Sequence, residues 1–170
     1  ANMTAWEDIV ALGRGANPDE LVILGRYTQT DGNYEQDIGI YNMATDTMTL
    51  YVSATATIPL GGFEHGTERW AGIDCDPNTG VYVASPQNSS FIVNEYDSYW
   101  TTDFVTWTKQ TGVVTTFHGG DFMRWHETFK MWVWASGATT FVSSDGKAWS
   151  GQSGVTVADS TTNLGFLEAQ

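Results

Sequence analysis

An octet built around Asp and Trp occurs twice in this chain, as TTDFVTWT at 101–108 and as SSDGKAWS at 143–150. The match runs on beyond the octets. In TTDFVTWTKQTGV and SSDGKAWSGQSGV, Asp, Trp, Gln, Gly and Val recur in register, and Ser replaces Thr. Agreement at that many ordered positions marks an internal repeat. A repeat constrains the fold strongly, because each unit must bury its apolar face against its neighbour.

A second pair of segments follows the same logic. RWAGIDCDPNTGVYVAS at 69–85 and RWHETFKMWVWAS at 124–136 both open on Arg-Trp and both close on an apolar run ending Ala-Ser. This alignment makes Arg69 equivalent to Arg124, and Trp70 to Trp125. The N-terminal third repeats more faintly. WEDIVALG sets Trp6 and Ile9 at the spacing of Trp70 and Ile73, LVILG supplies the apolar run, and Asp46 precedes a strand in NMATDTMTLY.

Val, Ile, Thr, Tyr, Phe and Trp come in short runs cut by Gly, Asn and Asp, which is the pattern of strands. No stretch shows a capped helical period; Trp6 to Leu12 spans one helical turn but meets Gly13 and Gly15 at once, and reads as strand. Each unit then holds four strands. The first has them at 5–12, 20–27, 37–43 and 47–53; the second at 68–75, 80–85, 97–102 and 105–110; the third at 122–129, 130–136, 139–144 and 147–152. Asp76-Pro77-Asn78-Thr79-Gly80 and Asp145-Gly146 are turn sequences, so the connections are hairpins and the sheets antiparallel. The expectation is one all-β repeat domain over 1–170, with blade-like units at 5–58, 63–113 and 117–155, and a tail or the start of a further blade at 156–170. Four-stranded antiparallel units at this spacing are the mark of β-propeller blades.

The octet resembles the Asp-box repeat of sialidase-like and related propellers, which runs Ser/Thr-x-Asp, a Gly, then Trp. Ser143, Asp145, Gly146 and Trp149 match it in the variant one residue shorter between Asp and Trp. Thr101, Asp103 and Trp107 match less fully, since Phe104 stands where Gly would. The resemblance implies a structural role. A short Asp accepts from the orphan N–H groups of a tight turn, and the Trp anchors the last strand against the neighbouring blade.

Composition narrows the partners. The formal net charge is −13 with seven Lys and Arg, scattered rather than clustered, which argues against nucleic acid and against anionic membrane. No apolar run reaches the length of a membrane span, so no membrane insertion is expected, and the N-terminus lacks the basic start and apolar stretch of a signal peptide. The single cysteine, Cys75, allows no intramolecular disulfide and no cysteine-based zinc site; it reads as a small buried hydrophobe on the strand face of Ile73.

The candidates for chemistry are few. A sialidase needs an arginine cluster, and only Arg14, Arg26, Arg69 and Arg124 are present. No cofactor or metal is expected. Asp74, Asp76 and Asn78 place oxygens at alternate positions, as at the start of a calcium loop, but the distal Glu is missing and DPNTG makes a sufficient turn. His65 and His118 precede the first strands of the second and third units, near Glu64, Glu68 and Asp121, without metal-ligand spacing. No nucleophile elbow or phosphate-cradling loop occurs, and no residue is assigned a catalytic role. MWVWAS reads as a strand buried on both faces, with Trp132 and Trp134 in the core. The second unit carries an apparent insertion from Pro86 to Tyr96, with Phe91, Ile92 and Val93, followed by Tyr99 and Trp100. Phe91, Tyr96, Tyr99, Trp100, His65 and His118 are the binding candidates. For the insertion, contact with a partner or glycan and a longer hairpin packed on the next blade stand as equal readings. Asn2 and Asn88 open glycosylation sequons.

Three blades do not close a ring, and three readings stand: the chain is a piece of a longer polypeptide, copies complete a ring together, or the units form a sandwich or a curved open sheet. An open end exposes a strand edge, so partner contacts are expected at one or both ends, with further subunits, as a homo-oligomer or in a larger assembly. The expected function is a non-catalytic structural or recognition module of such an assembly. It resembles those of phage virions (tail, fibre or capsid surface), contacting other subunits or a cell-surface glycan, and the expected location is the virion or the cell exterior. The alternative is part of a sialidase-like or other glycoside hydrolase propeller.

Overall fold

A computed structural model describes residues 8–28, 34–51, 68–88, 98–110, 120–136 and 139–152. The described residues form three four-stranded sheets and no helix. Sheet 1 holds β1 (Asp8–Arg14), β2 (Glu20–Thr28), β3 (Tyr34–Asn42) and β4 (Thr47–Tyr51) in that order. Sheet 2 holds β5 (Glu68–Asp76), β6 (Val81–Asn88), β7 (Tyr99–Thr101) and β8 (Thr108–Lys109). Sheet 3 holds β9 (Gly120–His126), β10 (Met131–Ser136), β11 (Thr139–Ser143) and β12 (Ser150–Gln152). Every neighbouring pair is antiparallel, as hairpin connections require. The first strands of the three sheets lie together, with β1 packed on β5 and β5 on β9. The architecture is a propeller-like array of three blades that these sheets alone do not close.

Strand alternation explains why the sheets stack. On β6, Tyr82 and Ala84 point to one face and Val81 and Val83 to the other. The first pair joins a core with Val22, Leu24, Ile38 and Ile40 of sheet 1 and Ile73 and Cys75 of β5. The second pair joins a core with Met123, Trp125, Trp132, Trp134 and Phe141 of sheet 3. The middle sheet is thus apolar on both faces and covered on both. In sheet 3, Trp132 and Trp134 are fully buried but Met131 and Val133 are only half-buried. MWVWAS is therefore core on one face rather than two, because the other face of sheet 3 has no sheet against it among the described residues.

The hairpin register corrects the alignment read from sequence. Leu12 pairs with Ile23, Ile73 with Ala84, and Met123 with Trp134. The next pairs are Gly13 with Val22, Asp74 with Val83, and Arg124 with Val133. A register shift follows at the same place in each inner strand, passing over Val10, Ala71 and Asp121. Arg124 is therefore the counterpart of Asp74 and Gly13, not of Arg69. Trp125 matches Cys75, and Trp70 matches Ile9 and Gly120. The shared Arg-Trp letters misled because Arg69 and Trp70 lie before the register shift in β5, whereas Arg124 and Trp125 lie after the one in β9, nearer the hairpin turn. The expected insertion is also shorter than it looked: β6 runs to Asn88, and Pro86, Gln87 and Asn88 pair with Trp70, Arg69 and Glu68.

Candidate functional site

The two octets close the last hairpins of sheets 2 and 3 with the same hydrogen bonds. The Thr101 hydroxyl accepts from the backbone N–H of Asp103 at 3.2 Å and of Phe104 at 3.0 Å. Asp103 Oδ1 accepts from Val105 and Thr106, both at 2.8 Å, and from the Thr101 hydroxyl at 3.1 Å. In sheet 3, the Ser143 hydroxyl accepts from Asp145 at 3.3 Å and Gly146 at 2.9 Å. Asp145 Oδ1 accepts from Lys147 at 2.8 Å, Ala148 at 2.9 Å and the Ser143 hydroxyl at 3.0 Å. The amides of Thr106 and Val105 hold the Asp103 carboxyl below its ordinary value. Desolvation pushes Asp145 up, but the amides of Ala148 and Lys147 and the Ser143 hydroxyl outweigh it and leave that carboxyl lowered too. Trp107 and Trp149 stand just before β8 and β12 and pack on the two inter-sheet cores.

At the position after Asp the octets hold Phe104 and Gly146, and that difference is steric. Gly146 has φ 72°, and a Cβ there would lie 2.5 Å from Val83 Cγ2 and 3.0 Å from Trp132 Nε1. Phe104 holds the same left-handed backbone at φ 58°. Its ring is buried, with centroids 4.3 Å from Tyr82 and 4.7 Å from Tyr51 of sheet 1. Burial of that ring offsets a backbone cost of about 1–2 kcal/mol.

Asp74 is the polar centre of the array. It is a fully buried acid on an inner strand. Oδ1 accepts the backbone N–H of Arg14 on β1 at 2.7 Å, and Oδ2 accepts that of Trp125 on β9 at 2.9 Å. One carboxylate therefore bridges all three sheets. Arg124 Nη1 adds a bond to the Ile73 carbonyl at 3.2 Å, and the Tyr82 hydroxyl accepts from the Ala16 N–H at 2.8 Å. Burial raises the Asp74 carboxyl, against the lowering by the two amides and by Arg124. The neighbouring Asp76 serves its own turn: Oδ1 accepts from Asn78 N and Nδ2, and Oδ2 from the Thr79 hydroxyl. The oxygens of Asp74 and Asp76 thus have separate tasks, one between sheets and one within a hairpin. The bridging role was missed in the sequence. The available signal was an acid between Ile73 and Cys75 on a strand of a sheet covered on both faces, where a charge must find donors.

The binding candidates separate. Tyr99 packs against the core between sheets 1 and 2, and Trp100 against the core between sheets 2 and 3, so alternation puts them on opposite faces of β7. Lys147 Nζ lies 4.0 Å above the Trp100 ring. His65, Phe91, Tyr96 and His118, with Ile92, Val93 and the tail 156–170, lie outside the described residues. The side chains of Glu68 and Asp121 do as well.

The two outward faces of the array differ from its inner ones at matched positions. Ile73 and Met123 are 0% and 1% exposed, but their counterpart Leu12 is 44% exposed. Ile9, one register shift away on the same side of β1, is 55% exposed. Ile23, opposite Leu12, is buried. At the other end, Val22 and Val83 are both fully buried, whereas their counterpart Val133 is half-buried. Val142, paired with Val133 as Ile40 is with Val22, is half-buried too.

No family model matches the chain, and no curated protein does. Among solved structures it is similar to the β-propeller domain of the Trilobed protease from Pyrococcus furiosus, described as having an open velcro topology. Identity is 7% and the TM-score 0.46, over 85% of this chain and 43% of that one. The chain thus spans less than half the length of that structure.

Proposed function

We propose that this chain is a non-catalytic structural and recognition module of a larger assembly, of the kind carried on the outside of a phage virion. There it contacts neighbouring subunits or a host glycan. The observation that carries this reading is the exposure of Leu12 at a position where the equivalent Ile73 and Met123 are wholly buried. An apolar side chain exposed at a position that is buried at both inter-blade junctions calls for a partner. The octets support the same reading. They resemble Asp-boxes, and their carboxylates are occupied in closing turns rather than turned to a substrate. The acidic surface, the many aromatics and the hydroxyl-rich turns fit a protein exposed outside the cell.

Two measurements test this. In particles purified from its source, quantitative mass spectrometry should find the chain as a stoichiometric component; its absence from them would overturn the reading. Incubated with sialylated and neutral oligosaccharides, the chain should leave every glycosidic bond intact. Turnover would establish the glycoside hydrolase alternative.

A further inference from the structure

We infer that the turn between β9 and β10, residues 126–130, binds a neutral sugar ring, stacked on Phe129 and hydrogen-bonded by Glu127 and Lys130. This inference rests on the reading of the chain as a recognition module, and it names the place and the chemical class of the ligand.

The same turn occurs one sheet earlier, built in an ordinary way. Asp76 pairs with Val81 across the β5–β6 turn, and His126 pairs with Met131 across the β9–β10 turn. The intervening stretches are equal in length, so Thr79 matches Phe129 and Gly80 matches Lys130. In the earlier turn the Thr79 hydroxyl folds back onto Asp76 Oδ2 at 2.7 Å, and Gly80 takes the left-handed backbone at φ 68°. The later turn departs from this twice. Phe129 is 68% exposed, more than any other large apolar side chain among the described residues. Lys130 holds φ 50°, where a glycine would sit at lower cost. Phe104 and Asp46 also have positive φ, but Phe104 buries its ring and Asp is a residue type that tolerates this backbone. Lys130 is exposed and has neither reason. Strain without burial, beside an aromatic ring turned to solvent, marks a turn kept for what it contacts.

The ring is held in place. Its centroid lies 4.5 Å from that of the His126 ring, and the Phe129 N–H donates to His126 Nδ1 at 3.4 Å. Glu127 is fixed from the core: Oε2 accepts from the indole N–H of buried Trp125 at 2.8 Å, and Oε1 accepts from Lys130. Each of these carboxylate oxygens has a second lone pair, and the Lys130 ammonium has two more N–H donors. The two side chains are 55% exposed at Lys130 and 38% at Glu127, so a ligand can reach them. An apolar face with an acceptor and a donor beside it matches a pyranose, which carries C–H groups on a face and hydroxyls along its edge. Charge and size argue against other partners. The formal charge of −13 repels phosphate and other polyanions. A protein partner covers about 800 Å² around an apolar centre, whereas Thr128 and Lys130 on either side of Phe129 are polar and exposed.

The test is saturation-transfer NMR of the chain with the neutral methyl glycosides of glucose, galactose, mannose and N-acetylglucosamine. A single stacked ring should bind with a dissociation constant on the order of 1 mM, so each is titrated to about 20 mM. At least one should receive saturation at its ring C–H protons. Phe129→Ala should weaken that binding at least about tenfold and leave the melting temperature within about 2 °C, since the ring is exposed. Phe129→Trp should keep it. Lys130→Gly should melt no lower than wild type yet bind at least about threefold more weakly, a split that a merely structural turn would not show. Val105→Ala, exposed on a different turn, should bind as wild type does. Absence of transfer to every glycoside overturns the proposal, as does a Phe129→Ala chain that binds undiminished or a Val105→Ala chain that loses as much. A chain without transfer that is still found stoichiometrically in purified particles would sink this inference and leave the assembly reading standing. Binding by a chain absent from those particles would do the reverse.

Discussion

Asp74 Oδ2, on the inner strand of sheet 2, accepts the backbone N–H of Trp125 on the inner strand of sheet 3 at 2.9 Å. The other oxygen of the same carboxylate does this for Arg14 of sheet 1. The three inner strands are therefore riveted as well as packed. Asp74→Ala would strand two N–H groups, costing about 3 kcal/mol or more. Thermal unfolding should show a fall of roughly 6 °C or more. Asp74→Asn should not restore stability fully, since its amide nitrogen would face one of the two donors. A melting temperature unchanged in Asp74→Ala would show that packing alone joins the sheets.

Gly146 and Gly80 separate a crowded turn from an open one. Both have positive φ, but a Cβ at Gly80 has nothing within 4 Å. Gly80→Ala should cost only the backbone preference, about 1 kcal/mol. Gly146→Ala meets Val83 and Trp132 as well, and should cost about 2–3 kcal/mol in urea titrations. Equal costs would mean that the sheet 2–sheet 3 contact yields freely.

The octet carboxylates should act on the turn and not on the partner. Asp145→Ala removes the acceptor for the Lys147 and Ala148 amides and should lower the melting temperature. Ser144→Ala, beside it and exposed, should leave that temperature within about 2 °C. Below its melting temperature Asp145→Ala should sediment like wild type. Lost association with unchanged stability would assign Asp145 to the interface.

The same groups set a pH dependence. Asp103 and Asp145 are lowered in the folded chain from an ordinary 3.8. Their contribution is present above that value and fades as pH falls through their folded values. Asp74 is raised, so its sign is opposite: its contribution is full below 3.8 and is lost as pH rises through its folded value. Urea midpoints of wild type should therefore fall on acidification below about pH 4. A double Asp103→Ala, Asp145→Ala variant should fall less steeply. An identical slope would show that other acids govern acid unfolding.

Cys75 reports on the core between sheets 1 and 2. Burial pushes its thiol up to about 12, against a small lowering by Tyr82. A thiol reagent at pH 8 should leave the folded chain unlabelled and modify one group per chain in urea. Rapid labelling of the folded chain would mean that sheets 1 and 2 part readily.

Short runs of Val, Ile, Tyr and Trp between turn residues determined, by the sequence alone, that the chain forms four-stranded antiparallel sheets in series. These are local effects: side-chain alternation, the φ demanded at DPNTG, and the donors that a Ser-x-Asp turn leaves to be satisfied. The expected strand spans 20–27, 47–53 and 139–144 lie within two residues of β2, β4 and β11 at each end. Only the tertiary structure decided which residues are equivalent from sheet to sheet. That depends on hairpin register and on a one-residue shift in β1, β5 and β9, neither of which leaves a mark in letters such as Arg-Trp. It also decided that Asp74 bridges three sheets rather than joining Asp76 in a loop, and that Leu12 is exposed where Ile73 is buried. Both are matters of what stands across a gap of a few ångströms, contributed by chain some 50–60 residues away, and a strand's own sequence does not encode its neighbour's position.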